Sequence, residues 1–247
     1  MRVTALARVL YADERIVAID KPAGLSLATR RAEPGGAVTR LVAALTEPER
    51  AEYVLMPDAL LLVHRLDVGT SGVVLLARDE DAHRALVRAF SERRVAKTYL
   101  ALAWGHPHPP EGRWSWPLGP NRRDRRRMVV TEGGRPSVTD YAVEARGPHV
   151  SLLRLAPATG RTHQLRVHLA HAGHPIVGDD LYGGPRHRGV REPELRRLLD
   201  PGRPLLHAWR LHLPDTDATP ELILAAPIPA DLDAALAGLG IATPSAS

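Results

Sequence analysis

His64-Arg65-Leu66-Asp67-Val68-Gly69-Thr70-Ser71-Gly72 is the stretch on which the reading of this chain turns. It lies between Leu60-Leu61-Leu62-Val63 and Val73-Val74-Leu75-Leu76. Short apolar runs rich in branched residues and bounded by turn residues predict buried strands. The connection between them is polar and carries one carboxylate, Asp67. A protein interior disfavours a charge that is neither paired nor used. Asp67 is therefore either a turn-capping acid, as in many Asp-x-Gly connections, or a reactive group held between core strands. Ser71, flanked by Thr70 and Gly72, reads as part of the turn.

Outward from this stretch, Arg15–Asp20 predicts a strand that ends at the Lys21-Pro22-Ala23-Gly24-Leu25 turn. A loop is expected over 28–36, then a helix over Ala37–Thr46 that stops before Pro48. Asp79–Arg94 has the spacing of an amphipathic helix, with acids at its start and Arg93-Arg94 at its end. Lys97–Trp104 alternates as a strand. His106–Pro120, rich in Pro, Gly and Trp, reads as irregular. Ser137–Ala145 and His149–Leu155 predict a hairpin around Arg146-Gly147-Pro148. Thr162 is the expected cap of a helix reaching Ala172, with His163 and Arg166 inside it. Ile176–Gly184 reads as a turn-rich connection. Leu205–Leu213 and Glu221–Ala225 read as late strands and Leu232–Leu239 as a last helix. Repeats, heptads and linkers are lacking, and the irregular order of elements argues for an α+β fold with a mixed or mostly antiparallel sheet. A single domain over 1–240 and a frayed tail over 241–247 are expected.

The 247 residues suffice for a substantial core, and 44% hydrophobic with 25% charged residues is a globular composition. No apolar run nears the ~20 residues that span a bilayer, and Met1-Arg2-Val3-Thr4 starts no signal peptide. A cytoplasmic protein without membrane contact is expected. Cysteine is absent, which excludes disulfides, thiolate metal sites and thiolate nucleophiles. Net charge is +5, and Lys21 and Lys97 are the sole lysines among 33 basic residues. Arginine suits bidentate phosphate contact, although GC-rich coding raises Arg equally well. Its clustering in Arg122-Arg123-Asp124-Arg125-Arg126-Arg127 and over Arg186–Arg203 favours a polyanionic partner.

The second dense polar stretch is Thr159-Gly160-Arg161-Thr162-His163-Gln164-Leu165-Arg166-Val167-His168. His163, His168, His171 and His174 lack the spacing of a zinc site; hydrogen-bonded structural histidines or RNA contacts are expected instead. Phosphate-loop, dinucleotide-turn and nucleophile-elbow motifs are missing, so neither a cofactor nor a metal is expected. What is left is a carboxylate, two arginine-bearing motifs, Tyr99 and basic surface. Carboxylates are competent nucleophiles at sugar anomeric carbons, and a neighbouring Arg favours the ionised form.

Together these segments resemble the RNA pseudouridine synthases, in the RluA-type branch that modifies large-subunit ribosomal RNA and tRNA. The resemblance runs through Asp20-Lys21-Pro22-Ala23-Gly24-Leu25, the His64–Gly72 stretch, Lys97-Thr98-Tyr99, and Thr159–His168 followed by His174-Pro175-Ile176-Val177-Gly178-Asp179. It spans roughly residues 9–213. Many relatives carry an added N-terminal domain of the S4 type; here the catalytic segment starts almost at once, no such domain is expected, and the arginine patches are the expected substitute.

The resemblance implies the pseudouridine synthase fold: a mixed, mostly antiparallel sheet in two halves with flanking helices and an RNA-binding cleft. It implies isomerisation of uridine without a cofactor, through Asp67 as the catalytic residue. Tyr99 would stack on the base and take the C5 proton, and Arg166 would pair with Asp67, with Arg161 second in line. Arg65 would help evict the base, and His64, Lys97, Arg161, His163, Arg122, Arg123, Arg125, Arg126 and Arg127 would contact RNA. His64 has an equally simple reading as a structural hydrogen bonder, and Lys21–Gly24 as a supporting turn. The substrate would be ribosomal or transfer RNA, and the protein a monomer with no obligatory protein partner. Two rivals are a non-catalytic RNA-binding assembly factor and a glycosidase, the latter needing a second acid such as Asp179 or Asp180.

Overall fold

Of the two apolar runs beside Asp67, one forms a long strand and the other a very short one. A computed structural model describes residues 6–28 and 36–245, so most of the loop expected over 28–36 lies outside the described residues. In chain order the first elements are β1 (Arg8–Ala12), β2 (Ile16–Lys21), α1 (Gly36–Ala43), α2 (Glu47–Glu52), β3 (Leu61–Leu62), β4 (Ser71–Ala77) and α3 (Glu80–Ser91). Next come β5 (Ala96–Trp104), β6 (Glu111–Trp114), β7 (Leu118–Pro120), β8 (Met128–Val130), β9 (Thr139–Gly147) and β10 (Val150–Pro157). The last are α4 (Gln164–His171), α5 (Pro193–Leu198), β11 (Leu206–Leu213), β12 (Leu222–Ala225) and α6 (Ala230–Gly238). They form two compact units, one of residues up to Ala96 with Ala208–Pro227, the other of Lys97–His207 with Ile228–Ser245.

The first unit orders its strands β1-β2-β4-β11, with β3 also on β4 and β12 on β11. The β2–β4 ladder is antiparallel, from Ile16 opposite Ala77 to Lys21 opposite Gly72. Every residue of β4 is buried, as a continuous apolar run with both faces covered requires. Helix α3 closes one side of this core with Ala82, Leu86 and Ala89. The Asp79 side chain caps it by accepting the Ala82 N–H at 2.8 Å. The helix expected to stop before Pro48 does so, at Ala43, and Pro48 itself lies in the first turn of α2, behind a Thr46–Glu49 capping box. Proline is tolerated there because that turn's N–H groups have no intrahelical acceptor.

The second unit orders its strands β5-β10-β9-β6. β9 and β10 form the expected hairpin, with Val150 opposite Gly147 and one bulge before Leu153. The stretch expected to be irregular, 106–120, contains β6, which pairs with β9 from Glu111 opposite Ala142 to Trp114 opposite Thr139. Its Trp114 is buried and stacks on Tyr141 with ring centres 4.1 Å apart. Cross-strand aromatic packing outweighs the poor strand propensity of the surrounding Pro and Gly. β7 and β8 make a separate two-stranded hairpin whose tip is the arginine cluster. Beyond α6, Ile241 is buried and donates its N–H to the Leu236 carbonyl. The β1–β2, β2–β4, β5–β10, β9–β10, β6–β9, β11–β12 and β7–β8 ladders are antiparallel, in keeping with the expected fold class. No helix among the described residues is long and apolar enough to cross a membrane.

Candidate active site

β3 is two residues long, so Asp67 stands in an eight-residue connection, 63–70, that folds back into β4. Ser71 and Gly72, expected in the turn, already belong to the strand. The reason is steric at Gly72: a Cβ there would lie 2.1 Å from the Ala208 carbonyl oxygen, at φ +115°. Only glycine lets β4 start this close to β11. The turn itself is closed by the Thr70 N–H donating to the Asp67 carbonyl at 3.0 Å. Asp67 is half-buried, Arg65 and Val68 are exposed, and Leu66 and Thr70 are buried. Alternation of anchored and open positions thus presents the Asp67 turn outward on a fixed base.

The first motif supplies that base. The carbonyl of Val68, next to Asp67, accepts from the Gly24 N–H at 2.7 Å and from Lys21 Nζ at 3.4 Å. Lys21 is fully buried, and its ammonium also donates to the carbonyls of Pro22 at 2.8 Å and Leu25 at 3.1 Å. The turn-supporting role expected for Lys21–Gly24 therefore has a definite point of application, the backbone one residue after Asp67. Neighbouring Asp20 is pushed up to about 6 by burial, against the opposing pull of Arg8 and Lys21. His64 takes the structural part: its Nε2 accepts the Leu75 N–H at 3.2 Å, and its ring stacks on Phe90 at 4.8 Å.

The second unit carries Tyr99, Lys97, the arginine cluster and the third motif. Tyr99 lies half-buried on β5 opposite Leu155, against the core around Leu153 and Leu165. Lys97 Nζ donates to the Thr159 carbonyl at 3.4 Å. Helix α4 is not capped by Thr162. Its first flanking residue is His163, at φ +55°, and the helix begins at Gln164. No side chain caps the helix; the buried Gln164 side chain instead ties its first turn to the segments before it. Its Oε1 accepts from Thr159 Oγ1 at 2.7 Å and the Arg161 N–H at 3.1 Å, and its Nε2 donates to the Val138 carbonyl at 2.9 Å. Arg161 is half-buried and donates through Nε to the Pro136 carbonyl at 3.3 Å.

His168 is fully buried, and burial lowers its basicity. Its Nε2 faces the Trp116 carbonyl at 3.1 Å, an acceptor, so that nitrogen carries the proton. Nδ1 then accepts from Thr139 Oγ1 at 3.0 Å, while Thr139 accepts from Gln164 Nε2 at 3.0 Å. This chain leaves neither ring nitrogen for a metal. Among the described residues no three His, Cys, Asp or Glu side chains are grouped to hold one.

Arg166 makes a bidentate pair with Asp179, Nε to Oδ2 at 2.7 Å and Nη2 to Oδ1 at 2.8 Å. Both ends are largely withdrawn from solvent, at 11% and 1% side-chain exposure. Both Asp179 oxygens are engaged by a guanidinium, so this carboxylate is committed to Arg166, which weakens the glycosidase reading. Asp180 is exposed. Arg166 and Arg127 also lie over the ring of Tyr182, at 5.0 and 5.4 Å from its centre. Tyr182 bonds through its hydroxyl to His163 Nδ1 and to the Met128 N–H, both at 2.8 Å. Sequence reasoning missed Asp179 as the Arg166 partner and missed Tyr182 altogether. Both lie in a turn-rich segment with no periodicity to betray a partner, and Met128 is 54 residues away in the chain.

A family model described as RNA pseudouridylate synthase matches residues 15–171. The dual-specificity RNA pseudouridine synthase RluA of Escherichia coli is 41% identical over 186 residues, covering 74% of this chain and 80% of that protein. An uncharacterised RNA pseudouridine synthase of Mycobacterium bovis is 38% identical over 232 residues, covering 92% of this chain and 71% of that one. Among solved structures, human RNA pseudouridylate synthase domain containing 4 matches with a TM-score of 0.74 at 28% identity, covering 96% of this chain and 95% of that one. The model match spans more than half of the chain and includes the Asp67 stretch, Tyr99 and the start of the third motif, so this chain belongs to the RluA-type RNA pseudouridine synthases, isomerases of RNA uridine.

Proposed function

We propose that this enzyme converts specific uridines of structured ribosomal or transfer RNA into pseudouridine, with Asp67 as the catalytic residue. The observation that carries the proposal is the Asp67 turn. A half-buried carboxylate projects from backbone held at the adjacent Val68 carbonyl by Gly24 and Lys21 and closed by Thr70. A group aimed before substrate arrives avoids the ordering cost that a free loop would incur on binding. One relative's name points to ribosomal RNA, a ribosomal large subunit pseudouridine synthase of Xanthomonas campestris, 37% identical over 233 residues, and the RluA relative's name gives RNA with dual specificity.

In this reading the target uridine leaves the stack, helped by exposed Arg65 beside Asp67. Asp67 initiates cleavage of the C1′–N1 bond, the freed base rotates, and C5 bonds to C1′. The C5 proton departs, with Tyr99 as stacking partner and proton acceptor, and N1 gains a proton. Atoms balance within one nucleoside, so the reaction consumes no co-substrate. Arg166 is the cation assigned to the site, while Lys97, Arg161, His163 and the cluster Arg122–Arg127 hold phosphates. The enzyme acts in the cytoplasm as a monomer.

The test is RNA carrying tritium at uridine C5. Wild type should release label, and Asp67→Ala should bind the RNA with similar affinity yet release none. Equal release by both proteins would remove Asp67 from the mechanism. Binding without any new pseudouridine, even for wild type on matched cellular RNA, would favour the assembly-factor reading.

A further inference from the structure

Tyr182 has a place in the second unit that neither the motif reading nor the reaction scheme uses. Three segments of this unit meet on it. Its hydroxyl accepts the Met128 N–H at 2.8 Å, at the point where the arginine-rich loop returns to β8. The same hydroxyl is hydrogen-bonded to His163 Nδ1, 2.8 Å away, at the entrance of α4. Its ring lies beneath the guanidinium groups of Arg127, the last residue of the loop, and Arg166, in the helix. Its backbone N–H faces Asp179 Oδ1 at 3.3 Å, the same carboxylate that holds Arg166.

The loop needs such an anchor. Its internal bonds run from Asn121 Oδ1 to the N–H groups of Arg123 and Asp124, and from Arg127 N–H to the Asp124 carbonyl. These shape the turn but do not fix it against α4. Arg122, Arg123, Arg125 and Arg126 are exposed, whereas Arg127 is half-buried and its buried Nε has no hydrogen-bond partner. Facing a ring is what makes that position tolerable for a guanidinium. On the other side, His163 holds a left-handed backbone conformation that a non-glycine residue adopts only under constraint, and the Tyr182 hydroxyl engages its ring.

We propose that Tyr182 is a positioning residue that fixes the arginine-rich loop to the entrance of α4, so that phosphate contacts made by the loop and the Arg166–Asp179 pair share one rigid frame. The proposal rests on the reading of that loop as an RNA contact. It acts on substrate capture more than on the chemical step, because Tyr182 touches the loop and the helix rather than reacting atoms.

The closing experiment uses Tyr182→Phe, which keeps the ring under both guanidiniums and removes the hydroxyl. Hydrogen exchange of the RNA-free protein should show the Met128 amide exchanging about tenfold faster, and KM for RNA should rise roughly fivefold, the scale of one lost hydrogen bond, with kcat within about twofold. In a variant with Arg122, Arg123, Arg125 and Arg126 changed to Gln, adding Tyr182→Phe should leave KM where it is. An unchanged Met128 exchange rate overturns the link itself. A KM rise of equal size in both backgrounds overturns coupling through the loop. If the four-fold Gln variant alone leaves RNA affinity and its salt dependence unchanged, the phosphate reading of the loop has failed, and the substrate-capture role falls with it. A kcat loss in Tyr182→Phe larger than the KM change would also overturn that role.

Discussion

Gly72 shows most directly how one residue decides the placement of another. It starts the buried strand β4 against Ala208, and an added Cβ would meet backbone rather than a side chain able to swing aside. Gly72→Ala should therefore cost about 3–5 kcal/mol, at the upper end for single substitutions, read by denaturant unfolding. A loss below about 1 kcal/mol would show that β4 and β11 separate easily. Asp20 makes a different prediction. Its carboxyl is raised to about 6 from an ordinary 3.8, so the folded state binds its proton more tightly than the unfolded chain does. Stability from this group is complete below about pH 4 and is lost as pH climbs through 6. Asp20→Asn should melt close to wild type at pH 4 and above it at pH 8; parallel melting curves across that range would contradict the burial argument. The Asp67 turn was legible in sequence as a polar insert between apolar runs, but its anchoring by Lys21 and Gly24 was not, because those residues lie more than forty positions upstream.

At the scale of elements, α3 and α4 make an instructive pair. α3 was legible from its apolar spacing, its Asp79 cap and its charge gradient, all of which act within one turn of the residues concerned. α4 begins one residue later than its sequence suggested, with His163 rather than Thr162 before its first turn and no side-chain cap, while Gln164 reaches Val138 and Thr159 from within the helix. The same region holds the Arg166–Asp179 pair, which joins α4 to the segment after it. Breaking a buried, bidentate pair strands a charge and costs about 3–5 kcal/mol. Asp179→Ala should lower stability by that order in denaturant unfolding, whereas Asp180→Ala, at an exposed site, should change it by less than about 0.5 kcal/mol. Equal effects from the two would mean that the pair is not what holds this segment.

For the molecule as a whole, charge is the quantity that matters to an RNA enzyme. Replacing Arg122, Arg123, Arg125 and Arg126 by Gln lowers the net charge from +5 to +1, since four positive charges are removed. Each phosphate contact contributes roughly 0.7–0.9 to the slope of log affinity against log salt. If these four arginines touch RNA, the slope should flatten by roughly 3–4, with little change in melting temperature because all four are exposed. A slope equal to wild type would mean that this loop faces away from bound RNA and that the Arg186–Arg203 region deserves the same substitution. The family and its fold class were both readable from the sequence, since the catalytic and third motifs are each dense, unbroken stretches of the chain.

By itself, then, the sequence determined what depends on neighbours along the chain: the alternation and apolar runs of the strands, the capped amphipathic α3, the lack of thiol chemistry, and the polar stretches that mark an RluA-type enzyme. Tertiary structure alone decided which residues far apart in sequence share a hydrogen bond or a charge. It put Val68 under Lys21 and Gly24, gave Arg166 the carboxylate of Asp179, drew β6 out of a Pro- and Trp-rich stretch, and set Tyr182 between the arginine loop and α4. Such partners leave no periodic trace, because they are selected by close packing and by the cost of burying an unsatisfied polar group, which act only once the chain is folded. The Asp67 turn belongs to both accounts: its chemistry is written locally, and its aim is set by a turn forty residues away.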